Sequence, residues 1–448
     1  MISSKHSFQS YYKIIILVLT TTVVIDHVTG FQILTPSTAS TMSKTAATTG
    51  TTTSTTTSLC SIPRRDLLGG IASGALLGTG AAGSAMSGAP QEANAAAAVP
   101  TTTGGLVADL PMTRLRLPQA GFGREYVVIQ LKINGQGPFD FMIDSGLTTE
   151  MITPHLQQML SSAGLANNDS ASSNNRIMGI AAGGQSNANT LIDLKGAALV
   201  GGKFPNDNTQ LELPNLHAVI ADFPQEHIDP AHDPVEGMLG MELLSLYDVD
   251  FDFPNNRLRF YQPGTFDKDT AINAKDLVEI PAVVINETGL LGIRLTVPGV
   301  TQPVLAFLDC GSSFSIMNWK AAEFLGLPPK GDKSYRGGPA IAAVGVDGKP
   351  MTLPTIKQKL TFAGNAQIDP ATKRPIGFEE PPKEWKPWDA VQLAIGDLPA
   401  FSAMLGDGRT PYQGPAVLLG LDVLAQRRVV LKAGQGNDRR RRILISPK

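Results

Sequence analysis

One order of motifs occurs twice in this chain, and that repetition limits what it can fold into more than any other feature. In the first copy, residues Glu125 to Ile133 alternate in part with period two, which predicts a strand, and Asn134-Gly135 marks a turn. A second apolar strand, Phe139 to Ile143, runs into Asp144-Ser145-Gly146, and residues Pro154 to Leu165 have helical spacing. In the second copy, Leu291 to Val297 is the strand, Pro298-Gly299 the turn, and Val304 to Leu308 the apolar strand. It runs into Asp309-Cys310-Gly311-Ser312-Ser313, and Trp319 to Leu327 is the short helix. Each copy closes on an apolar pair and a glycine before another short helix, at Gly240 in the first and Gly420 in the second. A chain with this repeat is expected to build two lobes of one plan.

Between acid and closing glycine, each copy has a Gly-bearing segment flanked by apolar residues. These are Met178 to Gly184, with Gly179, Gly183 and Gly184, and Ala343 to Gly348, with Gly345 and Gly348. Both read as β-hairpins. The lobes are placed at residues 110–262 and 278–448, joined by a linker at 263–277. The second carries an additional Pro- and Trp-bearing loop from Asn365 to Trp388.

The first 95 residues read as targeting sequence. Lys5, His6 and Lys13 precede an apolar run from Ile14 to Ile25, too short for a membrane span but suited to a signal peptide over residues 1–30. Residues 31–63 are rich in Ser and Thr and poor in acids, the composition of a transit peptide. The pair Arg64-Arg65 opens a weakly apolar stretch ending at Ala93-Asn94-Ala95, which is similar to a twin-arginine signal over 64–95. A signal peptide fused to a transit peptide with Phe31 at the junction resembles the leaders of diatoms and related algae. That resemblance implies a plastid, and the third element implies its thylakoid lumen.

The 448 residues carry 37 Lys+Arg against 39 Asp+Glu, a formal charge of −2, which argues against a nucleic-acid binder. The two cysteines, Cys60 and Cys310, exclude a disulfide scaffold and a Cys-rich zinc site. No metal or cofactor is expected. The stretch from Glu226 to Asp233 lacks the spacing of a helical zinc motif and reads as a polar loop. Asp248, Asp250 and Asp252 alternate along a strand and are expected on its solvated face. Arg439 to Arg442 reads as a turn between two strands, and Tyr335 as a packing or second-hairpin residue.

Apolar-apolar-Asp-Ser-Gly, a glycine-bearing hairpin, then apolar-apolar-Gly before a short helix resembles the plan of retropepsin-like aspartic proteases. The stretch from Glu236 to Leu244 with Asp250 to Leu258 is especially similar to their single-lobe members. The resemblance covers most of residues 110–446. It implies an all-β chain of two closed β-barrel-like lobes with short helices, facing each other in one monomer as in pepsin-type chains. It also implies Asp144 and Asp309 as a catalytic pair, with Ser145, Gly146, Cys310, Gly311 and Ser312 as the loops beneath them. The glycine hairpins become flaps that close over an extended peptide or protein substrate. Two positions depart from the pattern. Cys310 stands where Ser or Thr is expected, offering a weaker and longer hydrogen bond, and Leu147 stands where a smaller residue is usual, crowding the first loop. The implied activity is endopeptidase, with a non-catalytic peptide- or partner-binding protein as the alternative.

Overall fold

The structure, a computed structural model, describes residues 14–15, 19–25, 105–116, 125–162, 176–177, 179–181, 184–185, 189–222, 225, 232–266, 276–285, 289–336, 340–345, 350–406, 410–434 and 441–448. All of these belong to one unit, formed by Met1–Asp26 with Glu92–Lys448.

The repeated sequence becomes a repeated strand order. In lobe 1 the neighbours run Glu125–Ile133, Gln136–Ile143, Val235–Leu239, Glu150–Ile152, Leu216–Ile220 and Asn189–Leu194. In lobe 2 they run Leu291–Thr296, Val304–Leu308, Ala416–Leu419, Ile316–Met317, Trp388–Ile395 and Pro350–Phe362. The strand that ends in each Asp is paired in parallel with the strand that ends before each closing glycine. Ile143 thus lies opposite Leu239, and Leu308 opposite Leu419. Lobe 2 closes when Pro350–Phe362 reaches back to Leu291–Thr296. Lobe 1 closes by the same route, but its strand is broken at Lys195-Gly196 into Asn189–Leu194 and Ala197–Val200, the latter returning to Glu125–Ile133. The turn at Asn134 and Gly135 has both residues at positive φ, 51° and 79°, the twist that a two-residue hairpin requires.

Among the described residues, five short helices complete the lobes: α1 (Pro154–Ser162), α2 (Met241–Leu244), α3 (Trp319–Phe324), α4 (Pro399–Leu405) and α5 (Leu421–Leu424). Helices α2 and α5 follow the closing glycines, which must be glycine because other chain segments come too close. A Cβ on Gly240 would lie 2.5 Å from the Thr149 carbonyl oxygen, and one on Gly420 would lie 2.5 Å from that of Phe314. Among the described residues, no helix is long and apolar enough to cross a membrane.

A six-stranded sheet joins the lobes, three strands from each: Val278–Ile280, Arg442–Ile445, Arg428–Lys432, Asp248–Asp252, Arg257–Tyr261 and Leu106–Pro111. Its central pair crosses from lobe to lobe, with Val249 opposite Leu431 and Asp250 opposite Val430. This corrects the expectation for Asp248, Asp250 and Asp252, which are buried rather than solvated. Their strand lies inside a sheet, and its acids face cations carried by the neighbouring strands. Asp250 receives two hydrogen bonds from Arg428 of lobe 2, at 2.7 and 2.8 Å, and one from Arg259 at 3.0 Å. Asp248 accepts from the amides of Gly264 and Ala433 at 2.8 and 2.9 Å. Burial still pushes its carboxyl above the usual range, with Lys432 and those amides opposing.

The long loop of lobe 2 forms a small hairpin, Ala366–Ile368 with Pro375–Phe378, and then delivers Trp385 and Trp388 to the core. Arg427 stacks on both indoles, 4.3 and 4.9 Å from their centroids, and donates to the carbonyls of Ser446 and Pro447. Tyr335 packs, its ring edge-on to Trp319 and its hydroxyl on the Pro328 carbonyl. Arg442 begins the last strand of the chain, Arg441 donates to the Gly289 carbonyl, and Arg439 and Arg440 lie outside the described residues.

The arginine–aspartate contact between lobes gives a direct test. Arg428→Ala would leave buried Asp250 with Arg259 alone and is expected to destabilise the protein by about 3 kcal/mol. The loss should be nearly insensitive to salt, because the pair is shielded from solvent. A shift below about 1 kcal/mol in denaturant unfolding, the range of an exposed ion pair, would contradict this account of the joint.

Candidate active site

The parallel pairing places Asp144 and Asp309 at the ends of the central strands of their lobes, and both are completely buried. Their backbone amides are fixed by the neighbouring strand, donating to the Leu239 and Leu419 carbonyls at 2.9 Å in both lobes. Each carboxyl then accepts from the amide two residues on. Gly146 donates to Asp144 Oδ1 at 2.8 Å, and Gly311 to Asp309 Oδ1 at 3.0 Å.

The glycines also bring the acids together. A Cβ on Gly146 would lie 2.7–2.9 Å from the carboxyl atoms of Asp309, and one on Gly311 would lie 2.2–2.5 Å from those of Asp144. No side chain fits there, so each lobe lays bare backbone against the acid of the other. The Oδ2 atom of each Asp is buried without a hydrogen bond from any other described group. The two acids interact through their side chains, and a protonated carboxyl can donate to an ionised partner.

Beneath the carboxyls the loops grip each other. Ser145 Oγ donates to the Leu308 carbonyl at 2.9 Å and accepts from the Cys310 amide at 3.0 Å. Cys310 Sγ donates to the Ile143 carbonyl and accepts from the Ser145 amide, both at 3.3 Å. The thiol therefore makes the same two crossings as the hydroxyl, lengthened by the larger sulfur atom. Burial, aided by the charge of Asp144, pushes its pKa up to about 12, so it remains a thiol and keeps its donor proton. The expected crowding at Leu147 does not occur. Its side chain turns away into a small core of lobe 1 with Tyr126, Met142, Met151 and Met238.

Burial is the main influence on the acids. It pushes Asp144 up to about 7, opposed by the Asp309 side chain and the Gly146 and Leu147 amides. It raises Asp309 well above the usual carboxylate range, and the charge of Asp144 raises it further. Like charges in contact cannot both ionise cheaply, so the pair retains a proton into the neutral range and titrates as a unit.

Of the other candidate residues, Ser312 lies in the same loop, its carbonyl accepting from the Leu421 amide at 2.8 Å. Gly179 and Gly184 sit in a short antiparallel pairing of lobe 1, and Gly345 in a hairpin of lobe 2 formed by Ala340–Gly345 and Pro350–Phe362. Gly183 and Gly348 lie outside the described residues, as does most of the stretch from Glu226 to Asp233. Among the described residues, no group of three His, Cys, Asp or Glu is arranged to hold a metal ion. The hairpin edges take up extended chain: Leu19–Ile25 pairs antiparallel with Ala340–Gly345, and Ile14–Ile15 parallel with Gly179–Ala181.

Sequence reasoning missed the groups that support the loops. Six residues after Asp309, Ser315 donates to Asp422 at 2.6 Å, and six after Asp144, Glu150 occupies the same place beside Glu242. Reading the two copies in register, position by position, would have found all four.

Residues 129–243 match the family model described as aspartyl protease, a span that begins in the first strand and ends in α2. No curated protein matches the chain. Among solved structures, the chain is similar to basic 7S globulin from soybean and to conglutin gamma, a basic 7S globulin from lupine seeds. Each is 10% identical at a TM-score of 0.35, covering 77% and 76% of this chain and 95% of the other. Values that low carry no argument about this chain. The family match falls on lobe 1, and lobe 2 repeats its strand order, so the chain has the mostly-β, two-lobed fold of an aspartic protease.

The state of Cys310 can be checked chemically. In the native protein at neutral pH, its peptide should remain unmodified by iodoacetamide and become labelled only after denaturation, as mass spectrometry would read. Rapid labelling of the folded chain would mean that the thiol does not lie in the crossing network.

Proposed function

We propose that this chain is an aspartic-type endopeptidase that hydrolyses peptide bonds with a water activated between Asp144 and Asp309. The observation that carries the reading is the contact of each carboxyl with the bare glycine of the opposite loop, which brings both acids to one point. There the ionised member takes a proton from the attacking water while the protonated member polarises the scissile carbonyl. The oxygens left without protein partners are the ones this chemistry uses. Aspartic proteases in general divide the roles of base and acid between two carboxyls that share one proton. Cys310 favours no alternative, because it makes the crossings that a hydroxyl would make.

An extended peptide is the substrate that suits two hairpins with edges able to accept a strand, since main-chain pairing holds the chain while side chains alternate into pockets. Asp144 is pushed up to about 7 and Asp309 higher, so the singly protonated pair that this chemistry needs forms as pH approaches neutrality. The location proposed from the leader is the thylakoid lumen, with residues 96–448 as the form that acts there.

Cleavage of a peptide library across acidic to neutral pH tests the proposal. Asp144→Asn and Asp309→Asn should each reduce cleavage by at least ~10³-fold, the scale of lost general acid–base catalysis. Folded wild-type protein that cleaves nothing at any pH would refute the endopeptidase reading and favour a peptide-binding protein in the same cleft. Cleavage that survives either substitution would place the chemistry elsewhere.

A further inference from the structure

A second pair of carboxyl groups lies below the Asp144 loop, and the proposed reaction does not use it. Glu150 opens the strand Glu150–Ile152 and is fully buried. Its Oε1 accepts from the Leu243 amide of α2 at 3.0 Å, and its Oε2 is buried without a partner. Glu242, on the same helix, is committed elsewhere. Its Oε2 accepts from Thr149 Oγ1 at 2.9 Å and the His217 amide at 3.2 Å, and its Oε1 lies 2.7 Å from His217 Nδ1.

Lobe 2 shows what this place requires. Ser315 donates its hydroxyl proton to Asp422 and accepts from the Gly420 amide at 3.0 Å. A hydroxyl can both donate and accept, whereas a carboxyl can do so only when protonated. Glu150 makes the accepting contact to α2 already. To make the donating contact toward Glu242 it must hold a proton.

We propose that Glu150 is a positioning residue that clamps the Asp144 loop to α2 while protonated, so that lobe 1 supports its catalytic acid in an acid-dependent way. The clamp has three points. The Asp144 amide is bound to the Leu239 carbonyl, the Leu147 carbonyl accepts from the Met241 amide at 2.7 Å, and Glu150 accepts from Leu243. The loop is thus bracketed at both ends by one short segment. If Glu150 ionises, its buried charge faces that of Glu242, and the far bracket is the one that strains.

The charged groups around the pair favour the proton. From α2 comes Glu242, and from Leu216–Ile220 comes His217, which pairs with Glu242 and has Asp193 at 3.9 Å on its other nitrogen. Lys195 pairs with Asp193, at 3.7 Å. From Val235–Leu239 comes Glu236, occupied by Thr153 and His155. The cations of the region therefore engage other acids. Burial first, and then the charge of Glu242, raise the pKa of Glu150 well above its usual value.

A group whose native pKa is raised stabilises the fold at low pH, and that contribution is lost as pH rises through the native value. Unfolding of the full-length chain should therefore be measured from acidic to mildly alkaline pH for wild type, Glu150→Gln and Glu150→Ala. Glutamine keeps one acceptor and one donor without a charge. Between the ordinary glutamate value and the raised native one, the folding constant of wild type should fall about tenfold more per pH unit than that of Glu150→Gln, the slope for one proton. Alanine should weaken the fold at every pH, with glutamine restoring the acidic value. Equal pH slopes in wild type and Glu150→Gln would overturn the proposal. So would a Glu150→Gln chain unfolded in acid, because a neutral donor of equal length would then fail to replace the protonated acid. Its catalytic meaning rests on the proposed protease reading, but this test reads folding alone. A chain that cleaves nothing can still pass it, and an active enzyme can still fail it.

Discussion

Two carboxyl groups pressed together in a buried site are the constraint around which this molecule is built. Neither lobe alone could hold its Asp this way, because a buried ionised acid with a free oxygen is unfavourable by several kcal/mol. The lobes answer with three joints at increasing distance. Bare glycine backbone meets each opposite acid, and the Ser145 and Cys310 side chains cross beneath. Farther down, a continuous sheet ties the lobes through Asp250 and Arg428. The outer joints fix the inner geometry, since strands paired in register leave little freedom at their ends.

Much of the fold was legible because the repeat is written in residues whose physics is local. Alternating apolar strands, Asn134-Gly135 and the two Asp-x-Gly loops each specify their own conformation. The closing glycines at 240 and 420 were visible as motifs, although the carbonyls that exclude a side chain there come from elsewhere in the chain. What stayed hidden depends on long-range neighbours. The alternation of Asp248, Asp250 and Asp252 is the pattern of a solvated strand face, and nothing local reveals that Arg428 arrives from 178 residues away to cover it. The longer hydrogen bonds of the Cys310 thiol follow from its chemistry, but the carbonyl and amide it reaches lie far away in the chain. Glu150 gave no signal alone, and only its register with Ser315 in the second copy exposes its role.

Five buried acids are shifted in one direction. Asp144, Asp309, Glu150 and Asp248 are all raised by burial, and Asp422 is pushed up to about 6. Their contributions to folding are present in acid and decline as pH rises through their native values. The proposed dyad needs one of its acids ionised, so its chemistry calls for a higher pH than the one at which these buried acids contribute most to folding.

The central claim is that Asp144 and Asp309 hold one proton between them, and the most direct measurement is a carboxyl-carbon NMR titration of the aspartate-labelled protein. Spectra of Asp144→Asn and Asp309→Asn would assign the two signals. The expected result is coupled titration with both transitions displaced above the ordinary aspartate range, the first proton lost near pH 7 and the second held higher. Two independent transitions near the ordinary aspartate value of about 4 would contradict it, because acids in contact and out of water cannot titrate that way.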